Sequence, residues 1–175
     1  MTSRPVRLGI IGCGNVLDAY LPQCEKLCRR GWTEVTLACG RPEQRARTLD
    51  FGVPEFTIHE ADVLHSPEVD AVLILTSMGE HARLARAALE AGKHVLVEKP
   101  MATNLAAATR LLATARKSRR LLVCAPFTIL SPTFQTIARR VRRGDLGQVC
   151  SARARYGWSG PWWNEWFYRR DGGCL

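Results

Sequence analysis

The chain has 175 residues, of which 46% are hydrophobic, and a formal net charge of +9. This length is enough for one full domain and part of another, and no apolar run reaches the roughly 18 residues that a membrane helix needs. The N-terminus does not form a signal peptide, so we expect a cytoplasmic protein with no membrane contact. The seven cysteines have no paired spacing, which indicates reduced thiols. The four histidines lack HExxH spacing, so we expect no metal site.

The positive charge is concentrated in two arginine-rich clusters, at 116–120 and 139–143. Nucleic-acid binding is one interpretation of such clusters. Both lie in segments with helical apolar spacing, however, and no aromatic side chains that stack on bases are interleaved with them. We therefore interpret them as solvated helix faces and expect no nucleic-acid partner.

Strand-like and helix-like patterns alternate over the first 125 residues. In chain order we predict strand Val6–Ile11, helix Asn15–Arg29, strand Val35–Cys39, helix Pro42–Asp50, strand Phe56–Ile58, helix Ala61–His65, strand 69–76, helix Gly79–Ala91, strand His94–Val97, helix Asn104–Arg119 and strand Leu121–Ala125. The strand at 69–76, "VDAVLILT", has the unbroken apolar core of a strand covered on both faces. The fold class is therefore α/β, with a doubly wound parallel sheet of the Rossmann type over residues 1–126.

The pattern changes after Pro126, where we predict a second domain, 127–175. Ser131 and Pro132 open a basic helix that ends at Gly144, and 148–156 alternates like an antiparallel strand. About fifty residues are too few to supply that strand with a sheet. We interpret this part as the incomplete start of an α+β substrate or oligomerisation domain.

A glycine motif, "GIIGCGNV", stands where the first strand meets the first helix. Gly12 permits a tight turn, and Gly14 lets the backbone approach a pyrophosphate attracted by the helix N-terminus. We expect Gly12, Gly14, Asn15 and Val16 to bind a dinucleotide. The third glycine of the usual motif is replaced by Leu17, and an ordinary glycine turn is the alternative.

The end of the second strand distinguishes the two nicotinamide cofactors. An acidic residue here usually binds the adenosine ribose of NAD, but this chain has Gly40 followed by Arg41. A guanidinium can bind a 2′-phosphate, so we predict NADP. The alternative is an ordinary surface arginine before a helix.

Polar residues also follow the fourth and fifth strands. Thr76 and Ser77 should lie at the carboxyl edge of the sheet, where ligands bind in open α/β folds. His81 could face the same crevice, although a lone histidine at a helix start is often a cap or surface residue. In "HVLVEKP", the apolar strand is followed at once by Glu98, Lys99 and Pro100, for which a surface ion pair is the simplest alternative.

Four segments, "GIIGCGNV", "TSMGEH", "AGKHVLVEKP" and "YRRDGGCL", resemble the Gfo/Idh/MocA family of NAD(P)-dependent oxidoreductases. The resemblance covers essentially the whole chain. It implies that Glu98 helps to place the cofactor, that Lys99 acts in substrate binding and proton transfer, and that Pro100 fixes the turn. Together with the NADP predicted from Gly40 and Arg41, it implies hydride transfer between NADP and a sugar, polyol or related alcohol or carbonyl compound, in a homo-oligomeric full-length form. A regulatory protein that binds the dinucleotide without catalysis is the alternative.

The chain also departs from the family pattern. Ser77 and Met78 stand where Pro-Asn is common, and "VCAPFTILSP" lacks the arginine that follows the sixth strand in many members. Aromatic residues at 156–168 could stack on a sugar, or pack between domains or subunits. Because "GGCL" precedes, in the family, an Asp-x-Gly segment that carries further catalytic residues, we expect a fragment with little or no activity.

Overall fold

The computed structural model describes residues 4–125, 128–155 and 157. The chain divides into two compact units, Met1–Ala125 and Pro126–Leu175. The strands of the first unit are β1 (Val6–Ile11), β2 (Thr33–Cys39), β3 (Glu55–Thr57), β4 (Ala71–Ile74), β5 (His94–Val97) and β6 (Leu122–Cys124). Its helices are α1 (Leu17–Arg29), α2 (Arg45–Asp50), α3 (Glu60–His65), α4 (Met78–Glu90) and α5 (Leu105–Ser118), and a 3-10 turn at Pro42–Gln44 precedes α2.

The six strands form one parallel sheet in the order β3-β2-β1-β4-β5-β6. From β1 the chain builds outward through β2 and β3, then crosses back to β4 and builds outward on the other side. The doubly wound sheet predicted from the sequence is confirmed, with most element ends within two residues of their predicted positions. Its switch point lies between β1 and β4, and in such sheets ligands bind at the carboxyl ends of the strands beside this point.

The central strands of the sheet are buried on both faces. Ile10 and Leu73 pack with α1 on one face, and their neighbours Ile11 and Ile74 pack with α3, α4 and α5 on the other. Successive side chains of a strand point to opposite faces, so a strand covered on both sides is apolar throughout. This explains the unbroken apolar runs in the sequence. None of the helices in the described ranges is long and apolar enough to cross a bilayer.

An ion cluster ties β1 to β4 at the amino edge of the sheet. The Asp70 carboxylate accepts hydrogen bonds from the Arg4 guanidinium at 2.7 and 3.0 Å, and from the Arg7 backbone amide and guanidinium at 3.0–3.1 Å. The hydrogen bonds from Arg4, and then those from Arg7, hold the pKa of Asp70 well below its ordinary value. A depressed carboxyl pKa stabilises the fold above the unfolded-state value, near 3.9, and this stabilisation is lost as the pH falls.

Replacing Asp70 by asparagine should therefore lower the free energy of unfolding at pH 7 by about 1–2 kcal/mol, a figure that allows for solvent screening. The difference from the unmutated chain should shrink as the pH is lowered from about 5 to about 2. Urea unfolding at pH 7 and pH 3 measures both values, with Asp50→Asn, at an exposed position, as the control. A difference that does not change with pH would contradict this account of the cluster.

The second unit contains one helix among its described residues, α6 (Pro132–Arg143). Ser131 is its N-cap and Gly144 its C-cap, the two residues predicted to bound it. The strand predicted at 148–156 is wrong for the residues that are described, since 148–155 form no strand. A strand needs a neighbour for its backbone hydrogen bonds, and alternating apolar residues do not supply one. Tyr156 and the aromatic residues at 158–168 lie outside the described residues, so their predicted roles stay predictions.

Candidate functional site

The carboxyl ends of the central strands meet at one edge of the sheet. Gly12 N donates to Cys39 O at 2.9 Å, Leu75 N to Ile11 O at 2.8 Å and Glu98 N to Ile74 O at 3.0 Å, so the loops after β1, β2, β4 and β5 begin side by side. Adjacent strands lie about 4.8 Å apart, which separates the loop after β2 from the loop after β5 by roughly 14 Å. Every site residue predicted from the sequence lies on one of these four loops or the helix that follows it.

Gly12 is required by the fold itself. Its φ angle is +105°, in the region that favours glycine, and a Cβ added there would lie 2.6 Å from the Leu75 carbonyl carbon and 2.7 Å from the Thr76 nitrogen. Only a residue without a side chain lets the end of β1 approach the end of β4 so closely. The role of Gly12 is thus structural whether or not a ligand binds.

Gly14 has no such structural requirement. Its φ angle lies outside the left-handed region, and a Cβ added to it would meet no atom within 4 Å. The helix that follows, α1, has Val16 as its N-cap residue with no side-chain cap, and Asn15 and Val16 are exposed. At this helix start Leu17 N donates to Gly14 O at 3.0 Å and Ala19 N to Val16 O at 3.1 Å. The dipole of a helix favours an anion at its N-terminus, so the open space beside Gly14 suits a phosphate group.

The loop after β2 begins with Gly40, which has no carboxylate, and its second residue, Arg41, has an exposed guanidinium. Gly40 is closely packed, because a Cβ there would lie 2.7 Å from Gln44 Oε1 and 2.9 Å from Cys13 Cβ. Arg41 is 74% exposed and pairs with Glu43 at 2.9 Å. An ion pair this exposed contributes little, so the Arg41 guanidinium can exchange Glu43 for a phosphate.

Thr76 and Ser77 follow β4 at this edge, as predicted, and Ser77 is exposed. His81, by contrast, is only 2% exposed. Its Nδ1 lies 2.8 Å from the Pro100 carbonyl oxygen and its Nε2 lies 2.9 Å from the Thr76 carbonyl oxygen. Both ring nitrogens thus lie against backbone carbonyl oxygens, and His81 links the loop after β4 to the loop after β5. Its expected contact with the cofactor stays a prediction.

The loop after β5 carries the charged pair. Glu98 is half-buried, and its Oε2 accepts a hydrogen bond from the Lys99 backbone amide at 2.8 Å. The Lys99 side chain is exposed, and the peptide bond between Lys99 and Pro100 is cis. No ion pair forms between the two side chains, so the surface ion pair considered for the sequence is absent from these described residues.

One residue of this edge was not predicted. Tyr20, in the first turns of α1, donates a hydrogen bond from its hydroxyl to Glu98 Oε1 at 2.6 Å. Seventy-eight residues separate the two along the chain, and no local pattern connects them. The only signal in the sequence is an aromatic residue with a polar tip in the helix that follows the glycine turn. Within the described ranges, no three His, Cys, Asp or Glu side chains are grouped so that they could hold a metal ion.

The sheet order, the glycine turn at its switch point and the polar loops beside it define a Rossmann-type dinucleotide-binding domain. The chain belongs to the Gfo/Idh/MocA family, since the family model described as "Oxidoreductase family, NAD-binding Rossmann fold" matches residues 6–125. The resemblance found in the sequence is therefore confirmed. This match places the glycine turn and all four loops in the part of the chain that the family shares.

Relatives with known activities are similar over most of this chain. A dTDP-3,4-didehydro-2,6-dideoxy-alpha-D-glucose 3-reductase from Actinomadura kijaniata is 35% identical over 157 residues, which are 88% of this chain and 46% of that protein. A solved 3-ketoreductase from the same organism, in complex with NADP and TDP-benzene, is 34% identical with a TM-score of 0.71 and covers 80% of this chain and 43% of its own.

A second solved structure is the WlbA dehydrogenase from Bordetella pertussis, in complex with NADH and UDP-GlcNAcA. It is 26% identical with a TM-score of 0.75, and the match covers 82% of this chain and 44% of that one. The chain thus spans less than half the length of the relatives it matches.

Proposed function

We propose that the protein is an oxidoreductase that transfers a hydride between NADP and a carbohydrate bearing a secondary alcohol or a carbonyl group. The observation that carries this proposal is the exposed Lys99 beside Glu98 at the end of β5, one strand away from the loop after β4 and two from the glycine turn after β1. The sugar nucleotides named for two of the relatives, a dTDP-linked dideoxyglucose and UDP-GlcNAcA, support a substrate of this class.

The residues of this edge fit such a cofactor. Gly14 leaves room for the pyrophosphate at the start of α1, where the helix dipole favours an anion, and Arg41 offers an exposed guanidinium to a 2′-phosphate. When bound, the nicotinamide would supply or accept the hydride. Lys99 would hydrogen-bond the substrate oxygen and give it a proton as the carbonyl carbon gains the hydride, or remove the proton in the reverse direction.

The experiment that tests this function is a turnover screen of the full-length gene product. Keto and hydroxy forms of sugars, polyols and sugar nucleotides are offered with NADPH or NADP, and cofactor absorbance is followed. Substrate-dependent change supports the proposal. Saturable NADPH binding without turnover of any carbohydrate would favour the alternative, a regulatory protein that senses the dinucleotide.

The preference for NADP gives a binding test within the chain itself. One charge-assisted contact between Arg41 and the 2′-phosphate contributes about 1.5–3 kcal/mol, so NADP should bind roughly ten- to a hundredfold more tightly than NAD. The gap should narrow as salt is raised. Arg41→Ala should remove most of it, as measured by calorimetric titration of each variant with both cofactors.

The chain offers a matched control for this variant. Arg29 is 72% exposed and pairs with one carboxylate, Glu25, but it lies at the last turn of α1, away from the carboxyl edge. Arg29→Ala should leave the preference unchanged. An acid at Gly40 is a poorer test, because its Cβ must displace Gln44 and Cys13. Equal affinities for NADP and NAD in the unmutated chain would contradict the assignment of Arg41.

A further inference from the structure

The carboxylate of Glu98 is held at both of its oxygens. The Tyr20 hydroxyl donates to Oε1 at 2.6 Å, and the Lys99 backbone amide donates to Oε2 at 2.8 Å. The first donor comes from α1 and the second from the loop after β5 itself. One orientation of the carboxylate satisfies both, so the contact with α1 restricts how Glu98 and the peptide of Lys99 are placed.

Tyr20 is well suited to this task. Its ring is half-buried and packs against the apolar cluster beneath α1, which fixes its direction. Burial, and then the hydrogen bond to Glu98, raises the pKa of Tyr20 above its ordinary value, so the hydroxyl keeps its proton and remains a donor. A short O–H···O⁻ bond is among the stronger hydrogen bonds in proteins.

The order of the strands tells which half of a dinucleotide this contact would affect. Arg41 follows β2, on one side of the glycine turn, and Glu98 follows β5, on the other. If the adenosine 2′-phosphate binds at Arg41, the nicotinamide half extends past β4 toward Glu98 and Lys99. Tyr20 thus acts at the nicotinamide end, although it belongs to the helix whose start faces the pyrophosphate.

We infer that Tyr20 is a positioning residue for the nicotinamide half of the cofactor, acting only through the carboxylate of Glu98. This inference rests on the proposed function, because it assumes that the dinucleotide lies along this edge. If the hydrogen bond only held α1 against the loop after β5, its removal would lower the stability of the domain. Binding of every part of the cofactor would then weaken to the same extent.

The test compares two ligands on the purified chain: NADPH, and 2′,5′-ADP, which lacks the nicotinamide half. Tyr20→Phe keeps the packed ring and removes only the hydroxyl. It should weaken NADPH binding by roughly fivefold to tenfold, less than the loss of a direct contact, and leave 2′,5′-ADP binding unchanged. In a Glu98→Ala background, Tyr20→Phe should cause no further loss of NADPH affinity.

The outcomes separate the two proposals. Three results would overturn the role of Tyr20 while leaving the dinucleotide site in place. Tyr20→Phe could weaken the binding of both ligands equally, it could leave NADPH affinity unchanged, or it could lower NADPH affinity further in the Glu98→Ala background. If the unmutated chain binds neither ligand, the proposed function fails and this inference fails with it. The fluorescence anisotropy of bound NADPH gives a second readout. It should be lower in the single variant Tyr20→Phe than in the unmutated chain, because the nicotinamide is less ordered.

Discussion

Replacing Lys99 by methionine should lower turnover of the full-length gene product by roughly 10² or more, with little change in NADPH affinity. Methionine keeps much of the apolar stem of lysine and removes the group that would exchange a proton with the substrate oxygen. Steady-state kinetics with the best substrate from the screen, together with a binding titration, separates the two quantities.

The control for this substitution is Lys117→Met. Lys117 is also exposed, but it lies in the last turn of α5, whereas Lys99 precedes that helix at the carboxyl edge. Its replacement should leave turnover unchanged. Turnover that survives in Lys99→Met would show that another residue transfers the proton, and the assignment of Lys99 would be withdrawn.

Alanine at the two glycines of the turn after β1 should affect different properties, namely the stability of the fold at Gly12 and cofactor binding at Gly14. Gly12→Ala should destabilise the fold by about 2–5 kcal/mol, because alanine is strained at φ +105° and its Cβ overlaps the backbone of Leu75 and Thr76. Gly14→Ala should leave stability nearly unchanged, since its Cβ meets nothing within 4 Å.

Gly14→Ala should weaken cofactor binding, although it leaves the fold stable. A methyl group in the space proposed for the pyrophosphate should weaken NADPH by roughly tenfold to a hundredfold. Urea unfolding and NADPH titration of the two variants, beside the unmutated chain, measure both effects. A stable Gly14→Ala variant with full NADPH affinity would place the pyrophosphate elsewhere, and an equally stable Gly12→Ala variant would contradict the described packing of the turn.

The sequence predicted the sheet well because the signals for its strands are local. An apolar run such as 69–76 marks a strand covered on both faces wherever it occurs in a chain, and Ser131 and Gly144 mark the ends of α6 without reference to any partner. Pairing is not local, and the strand predicted at 148–156 failed for that reason.

The site shows the same division. The loops that carry Gly12, Arg41, Thr76 and Lys99 could be placed at one edge because parallel strands bring their carboxyl ends together. The partners of individual side chains could not be predicted. His81 binds a carbonyl 19 residues further along the chain and Tyr20 a carboxylate 78 residues away. The close approach of Gly12 to the backbone of Leu75 and Thr76, which lie 63 and 64 residues further along the chain, was likewise beyond the sequence, although the motif did indicate a tight turn there.

The most direct test of the account follows the hydride itself. The full-length gene product is incubated with a ketosugar nucleotide and NADPH deuterated at C4, with each C4 diastereomer tried separately, and the product is examined by mass spectrometry and NMR. We predict one deuterium on the new carbinol carbon for each NADPH oxidised, from one of the two diastereomers only. NADPH that binds saturably while no deuterium reaches any carbohydrate in the screen would contradict the proposal that this protein is an oxidoreductase.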